Sequence, residues 1–144
     1  MPATYRLDLA ERVVWSKAWG LLRDEELAAH SRALVTDPRF SPDFRQVQDL
    51  LDVVDAPLTP SGLREVARLN PFGPGARRAV VVPSAVLFGL ARMHENLREG
   101  AGDELCVFRA MAPALEWLGL SPAWQPPPPA SDDPLFQWGE PSGE

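Results

Sequence analysis

Cysteine, basic residues and long apolar runs are scarce in this chain of 144 residues. The single cysteine, Cys106, excludes an intramolecular disulfide, and with only His30 and His94 beside it the chain lacks the usual zinc ligand set. Fourteen basic residues against 20 acidic ones disfavour a binder of nucleic acid. No apolar run approaches the roughly 18 residues of a spanning helix, and no secretory leader precedes the first strand pattern. We therefore expect a cytoplasmic protein without membrane insertion.

Proline is abundant instead, and it is concentrated after residue 120. Residues 121–144 hold seven of the 16 prolines and four of the six net negative charges. Because four successive prolines neither join a sheet nor continue a helix, we predict a domain over residues 1–120 and a proline-rich, acidic, flexible tail over residues 121–144. Phe136 and Trp138 are candidate anchors of the tail on a partner. The alternative is a tail that folds back over an apolar patch of its own domain.

The hydrophobic pattern of residues 1–120 alternates between the two-residue period of strands and the 3.6-residue period of helices. Tyr5 and Leu7 alternate with polar residues ahead of a second β-rich run, which predicts a hairpin. Helical and strand patterns then alternate until Gly119 ends the last helix. The predicted order is ββαβαβαβα, an α/β fold in which helices pack on a mixed five-stranded sheet and join its strands by right-handed crossovers.

The start of the second predicted helix is the most distinctive local motif. Thr59 is suited to cap this helix, and Pro60 to occupy its first position. Ser61 then lies in the first turn, where a phosphate on its hydroxyl would meet unpaired N–H groups at the positive helix end. The alternative is that Thr59 and Ser61 only cap the helix.

Together with this motif, the element order resembles the STAS domain superfamily, and more narrowly its SpoIIAA-like branch, also described as STAS/SEC14-like, over residues 4–120. Residues 29–50 also look like the helix-to-strand passage of uncharacterised bacterial members. Anti-sigma-factor antagonists of the superfamily carry an Asp-Ser-Ser-Gly-Leu motif whose second serine is phosphorylated by a partner kinase. Ser61 and Gly62 match that serine and the glycine after it, and Leu63 follows, whereas Thr59 and Pro60 replace the first two residues.

The resemblance implies two different functions. The first is a non-enzymatic bacterial regulatory module that binds a protein partner through the region of Thr59, Ser61, Gly62 and Arg64. The second, from the SEC14-like side, is a binder of a lipid or another apolar small molecule between helices and sheet. A continuous apolar pocket of roughly 300 Å³ or more, lined by the third helix, would favour the second function, and a closed, well-packed core would remove it.

The remaining polar residues give no catalytic set. His30, His94 and Cys106 have no acid, base or nucleophile at a spacing that implies convergence, so we expect ordinary core or surface positions, no enzymatic activity and no cofactor. The glycine-rich turn at residues 73–75, which precedes Arg77 and Arg78, lacks the ending of a phosphate-binding loop and is interpreted as a connector.

Two tryptophans suggest self-association. Trp15 and Trp19 share one face of the second predicted strand. If all helices lay on the opposite side of the sheet, these indoles would form an exposed apolar surface, which predicts a homodimer. The alternative is that a helical layer covers them.

Overall fold

Five strands form one mixed sheet in the computed structural model, which describes residues 3–98 and 100–128. In the sheet they lie in chain order: β1 (Ala3–Asp8), β2 (Val13–Leu21), β3 (Arg45–Asp55), β4 (Arg77–Val81) and β5 (Glu104–Phe108). β1 is antiparallel to β2, and the other neighbouring strands are parallel. Helices α1 (Asp24–Thr36), α2 (Pro60–Arg68), α3 (Ala85–Leu97) and α4 (Met111–Leu118) complete the order ββαβαβαβα, so the predicted fold class is confirmed.

The helices cover the two faces of the sheet unequally. Val80 and Leu105 pack with residues of α1 and α3 on one face, whereas Ala79 and Val81 pack against α4 on the other. Right-handed crossovers between strands that follow one another in the sheet place every crossover helix on the same side. α1, α2 and α3 therefore form one layer, and α4 partly covers the opposite face. No helix of the described residues has the length and apolar character that a membrane crossing requires.

Two arginines at the start of parallel strands hold the end of α4. Arg77 Nη1 donates to the carbonyl oxygen of Trp117 at 2.8 Å, and Arg45 Nη1 donates to that of Leu118 at 2.7 Å. Both carbonyls belong to the last helical turn. Carbonyl groups at this end of a helix lack intrahelical partners and carry partial negative charge. Gly119 then ends the helix with φ 76°, a conformation that glycine adopts without steric cost.

The first part of the predicted tail is packed on the domain. Trp124 Nε1 donates to Asp8 Oδ2 at 2.9 Å, and Arg6 Nη1 donates to the carbonyl oxygen of Pro127 at 3.1 Å. Trp124 also packs against the apolar cluster that contains Trp15. The predicted boundary at residue 120 is therefore too early, because residues 121–128 pack on the domain. Residues 129–144, with Phe136 and Trp138, lie outside the described residues.

Candidate functional site

A cavity lies between the sheet and the layer of α1, α2 and α3. The volume of this cavity is about 60 Å³. Leucines and valines from all three helices and from the sheet form most of its lining: Leu27, Leu63, Val66, Leu87, Leu90 and Val80. The cavity is thus lined by α3 as the small-molecule interpretation required, but it is smaller than the roughly 300 Å³ of an ordinary ligand pocket.

One end of the cavity is polar, and its side chains form a buried chain of hydrogen bonds across three strands. Arg78 Nε of β4 donates to Gln46 Oε1 of β3 at 2.9 Å, and Gln46 Nε2 donates to Ser16 Oγ of β2 at 3.0 Å. Ser16 Oγ lies 2.5 Å from His30 Nε2 of α1. The three strand residues lie on the same face because their neighbours Trp15, Val47 and Ala79 pack on the α4 side.

The direction of these hydrogen bonds is fixed from Arg78 as far as Ser16. Arg78 has no acceptor, so the carbonyl of Gln46 must face it and the amide of Gln46 must donate to Ser16. The hydroxyl of Ser16 and Nε2 of His30 share the last hydrogen bond, and the tautomer of the ring decides which of them donates. Burial, and secondly the charge of Arg78, lower the pKa of His30 to about 3, so the ring is neutral near pH 7.

Among the described residues, positive charge exceeds negative charge in the buried cluster around Arg78. Arg78 Nη1 lies 3.2 Å from Asp103 Oδ2, and Arg98 contacts the other oxygen of the same carboxylate. All three side chains are buried. Burial lowers the pKa of Arg78 to about 10, with the charge of Asp103 acting against it, so this guanidinium keeps its charge near pH 7. Within this cluster two guanidinium groups share one carboxylate.

His94, in the last turn of α3, is the second histidine that lines the cavity. Its Nδ1 is buried and has no hydrogen-bond partner among the described residues. Burial, followed by the charges of Arg78 and Arg98, lowers the pKa of His94 to about 4, against the opposite effect of Asp103. A neutral imidazole therefore offers an unused polar atom beside a guanidinium. Among the described residues, no three histidine, cysteine, aspartate or glutamate side chains come together as metal ligands would.

The residues predicted for partner contact lie at the start of α2. Thr59, Ser61 and Gly62 stand between two residues that line the cavity, Leu58 and Leu63, and Arg64 follows Leu63. Thr59 caps the helix as predicted, with Oγ1 accepting from the backbone N–H of Gly62 at 3.0 Å. Its hydroxyl donates to Asp24 Oδ2 at 2.8 Å, and its backbone N–H donates to Asp24 Oδ1 at 3.2 Å. Ser61 and Arg64 are exposed. The carboxylate of Asp24, from the first turn of α1, thus lies at the positive end of α2, the place that a phosphate on Ser61 would occupy.

The structure corrects the predicted role of Trp15 in self-association. Its side chain is buried because α4, Leu120 and Trp124 cover this face of the sheet, and the guanidinium of Arg6 lies 5.1 Å from the centre of its ring. Trp19, further along β2, is half-buried. Self-association stays a prediction, but a surface for it does not include Trp15.

Sequence reasoning missed the convergence of His30, His94 and Arg78 on one cavity. The sequence pattern predicts ordinary positions for the two histidines, and it gives Arg78 no role beyond following a glycine-rich connector, although Arg78 lies within β4. One signal was present: Ser16, Gln46 and Arg78 are polar residues at inward positions of strands that also turn apolar residues inward, such as Ala18, Leu50 and Val80. Polar side chains at such positions need buried partners.

No family model matches the sequence, and no curated protein matches it either. A solved structure does resemble it: the crystal structure of an uncharacterised protein of the DUF3478 family with a SpoIIAA-like fold, from Shewanella loihica PV-4. The match covers 81% of this chain and 94% of that chain, with 16% sequence identity and a TM-score of 0.55. A likeness at this identity concerns the fold alone.

Proposed function

We propose, with the SpoIIAA-like fold of this chain as the premise, that the protein is a non-enzymatic, STAS-like module that binds a small apolar molecule between α1, α2 and α3 and the sheet. The observation that carries the proposal is the cavity, whose apolar walls come from three helices and end at a buried polar cluster. Ligand sites usually combine such walls with a few polar groups that orient the ligand. The volume of about 60 Å³ holds a small ring or a short chain, and a longer chain such as an octyl group enters as the helices move apart.

The polar cluster supports binding more than catalysis. Ser16 is 3% exposed, and its oxygen is already engaged by Gln46 and His30. A hydroxyl that acts as a nucleophile must reach a substrate, whereas this one holds an imidazole in place.

The test uses 1-octanol as a neutral probe of the cavity. Saturable binding, followed by backbone amide chemical shifts, is expected to perturb residues of α3 and β4, and the probe is expected to raise the melting temperature. Ala91→Phe fills the cavity from α3 and should abolish the binding. Ala112→Phe, at an exposed position of α4 on the other face, is the matched control and should leave it unchanged. Binding that survives Ala91→Phe, or no saturable binding at all, contradicts the proposal.

A second function, regulation through a protein partner at Thr59, Ser61, Gly62 and Arg64, is favoured by the contacts of Asp24. Ser61 Oγ lies 3.3 Å from Thr59 Oγ1, the atom that donates to the Asp24 carboxylate. A phosphate on Ser61 would add about two negative charges beside that carboxylate. Repulsion would then break the link between α1 and α2 and change the surface that a partner contacts.

This second function is tested by intact-mass spectrometry of the protein isolated from its own cells during growth and starvation. A mass increase of one phosphate that disappears in Ser61→Ala supports it, and Ser84→Ala, at the cap of α3, is the control that should retain the increase. Absence of phosphate under both conditions contradicts it.

A further inference from the structure

The charge at the polar end of the cavity indicates what kind of small molecule the site takes, an inference that rests on the proposed function. Of the described residues that line the cavity, Arg78 is the only one that is charged near pH 7. Behind it, Asp103 supplies the one carboxylate that the described residues place against both Arg98 and Arg78. A buried charge without a counter-charge is costly, so a group of opposite sign in the cavity would gain the interaction that this cluster lacks.

The lining also supplies a hydrogen-bond donor for such a group. Nδ1 of His94 is buried without a partner among the described residues, and a neutral imidazole carries its proton on either nitrogen. With the proton on Nδ1, His94 would donate to a ligand oxygen that reaches this atom from the cavity. The same buried atom gains nothing from a purely apolar ligand, because it would stay unpaired.

We infer that the cavity binds a small apolar carboxylate, with the carboxylate against Arg78 and Nδ1 of His94 and the carbon chain among the leucines of α1, α2 and α3. A carboxylate matches the cluster in charge, since the two guanidiniums and one carboxylate of the described residues leave a single positive charge. Nε and Nη1 of Arg78 already donate to Gln46, Asn70 and Asp103, so an oxygen of the ligand accepts from Nη2. A phosphate monoester carries about two negative charges near pH 7 and would exceed that single charge.

The first experiment compares octanoate with 1-octanol, which share a chain and differ in the head group, by isothermal titration at pH 7.5. We expect octanoate to bind at least tenfold more tightly. Equal affinity of the two probes overturns the carboxylate inference and leaves the proposed function standing. Binding of neither probe overturns both.

Variants of two neighbouring arginines test which guanidinium recognises the carboxylate of octanoate. Arg78→Gln removes the charge at the cavity and should reduce the preference for octanoate to less than twofold. Arg77→Gln, at the preceding residue of β4, removes a charge on the α4 side and should leave the preference unchanged. An Arg78→Gln protein that keeps the full preference overturns the inference.

A third measurement needs no substitution. His94 is faced by Arg78 of β4, Arg98 after α3 and Asp103 before β5, with His30 of α1 lining the same cavity. A bound carboxylate offsets the two guanidiniums, so saturation with octanoate should raise the NMR-observed pKa of His94, whereas 1-octanol should not. A pKa of His94 that responds equally to both probes contradicts a carboxylate at this position.

Discussion

The two histidines are neutral in the folded protein for the same reason. Both are buried and stand near Arg78, and burial together with that charge lowers the pKa of His30 to about 3 and that of His94 to about 4. In the unfolded chain, a histidine takes up its proton near pH 6.5. Folding therefore opposes the protonation of both rings.

We predict that the protein loses stability as the pH falls from 6.5 toward 4. Below pH 6.5 the unfolded chain binds protons that the folded protein does not, so the free energy of unfolding decreases as the pH falls. Above pH 6.5 the two histidines contribute no pH dependence. The slope approaches about 1.4 kcal/mol per pH unit for each histidine. Urea unfolding between pH 7.5 and 5.0 measures it.

The variant His94→Gln separates the two contributions to this pH dependence. It removes one titrating group, so the slope below pH 6.5 should fall by about half while the dependence on His30 remains. A slope that is the same in the variant and in the native protein would contradict the pKa lowering of His94.

The polar chain below the cavity shows why the site was harder to predict than the strands. Tyr5 and Leu7 reveal their strand by a period that is visible within a few residues. The partners of Gln46, in contrast, are Ser16 and Arg78, which lie 30 and 32 residues away in the chain. Their contact depends on the register in which β2, β3 and β4 pair. That register cannot be read from the local residue pattern of a single sequence.

Among the elements, the junction of α1 and α2 depends on a glycine. A Cβ atom added to Gly62 would overlap the carboxylate of Asp24, which bonds to Thr59. The backbone of Gly62 is helical, so the missing side chain is required by this close approach and not by an unusual φ. The sequence motif predicts Thr59 and Gly62 at the start of the helix, where the structure has them. Nothing in the motif indicates that the carboxylate of Asp24 lies against them.

We predict that the effect of Gly62→Ala changes sign with residue 24. In the native background the new methyl group displaces Asp24 and breaks its two hydrogen bonds, which should lower the free energy of unfolding by about 1 kcal/mol. In the Asp24→Ala background the site is empty, and alanine should stabilise the helix by about 0.5–1 kcal/mol relative to glycine. Urea unfolding of the four proteins of this double-mutant cycle gives the coupling.

A glycine elsewhere provides the control for this cycle. Gly89 lies inside α3 with no atom within 4 Å of an added Cβ, so Gly89→Ala should stabilise by up to about 1 kcal/mol whichever residue stands at position 24. Equal effects of Gly62→Ala in both backgrounds would contradict the proposed contact.

At the scale of the whole molecule, residues 121–128 complete the core on the α4 side. Trp124 covers Trp15 and bonds to Asp8 on the edge strand, so the proline-rich stretch acts as a strap over the sheet. Composition suggested a flexible tail here because proline cannot join a sheet. A packed strap needs no sheet hydrogen bonds, and the tryptophan that anchors it lies just before the prolines.

We predict that Trp124→Ala lowers the free energy of unfolding by about 2 kcal/mol, because it removes a half-buried ring and uncovers Trp15. Trp124→Phe keeps most of the packing and loses only the hydrogen bond to Asp8, so it should cost about 1 kcal/mol. The control is Val35→Ala, at a position of α1 that is 62% exposed, which should change stability by less than about 0.5 kcal/mol. If Trp124→Ala is as mild as the control in urea unfolding, the strap does not stabilise the domain.

The order of the strands has a consequence for how the chain is made. Because neighbours in the sheet are also neighbours in the chain, each strand that leaves the ribosome finds its partner strand already synthesised. The bonds from Trp124 and Pro127 to β1 span 116 and 121 residues, so they form only after all five strands have emerged. Of the five strands in this sheet, β1 is thus the first to be translated and the last to receive its bonds to residues 124 and 127.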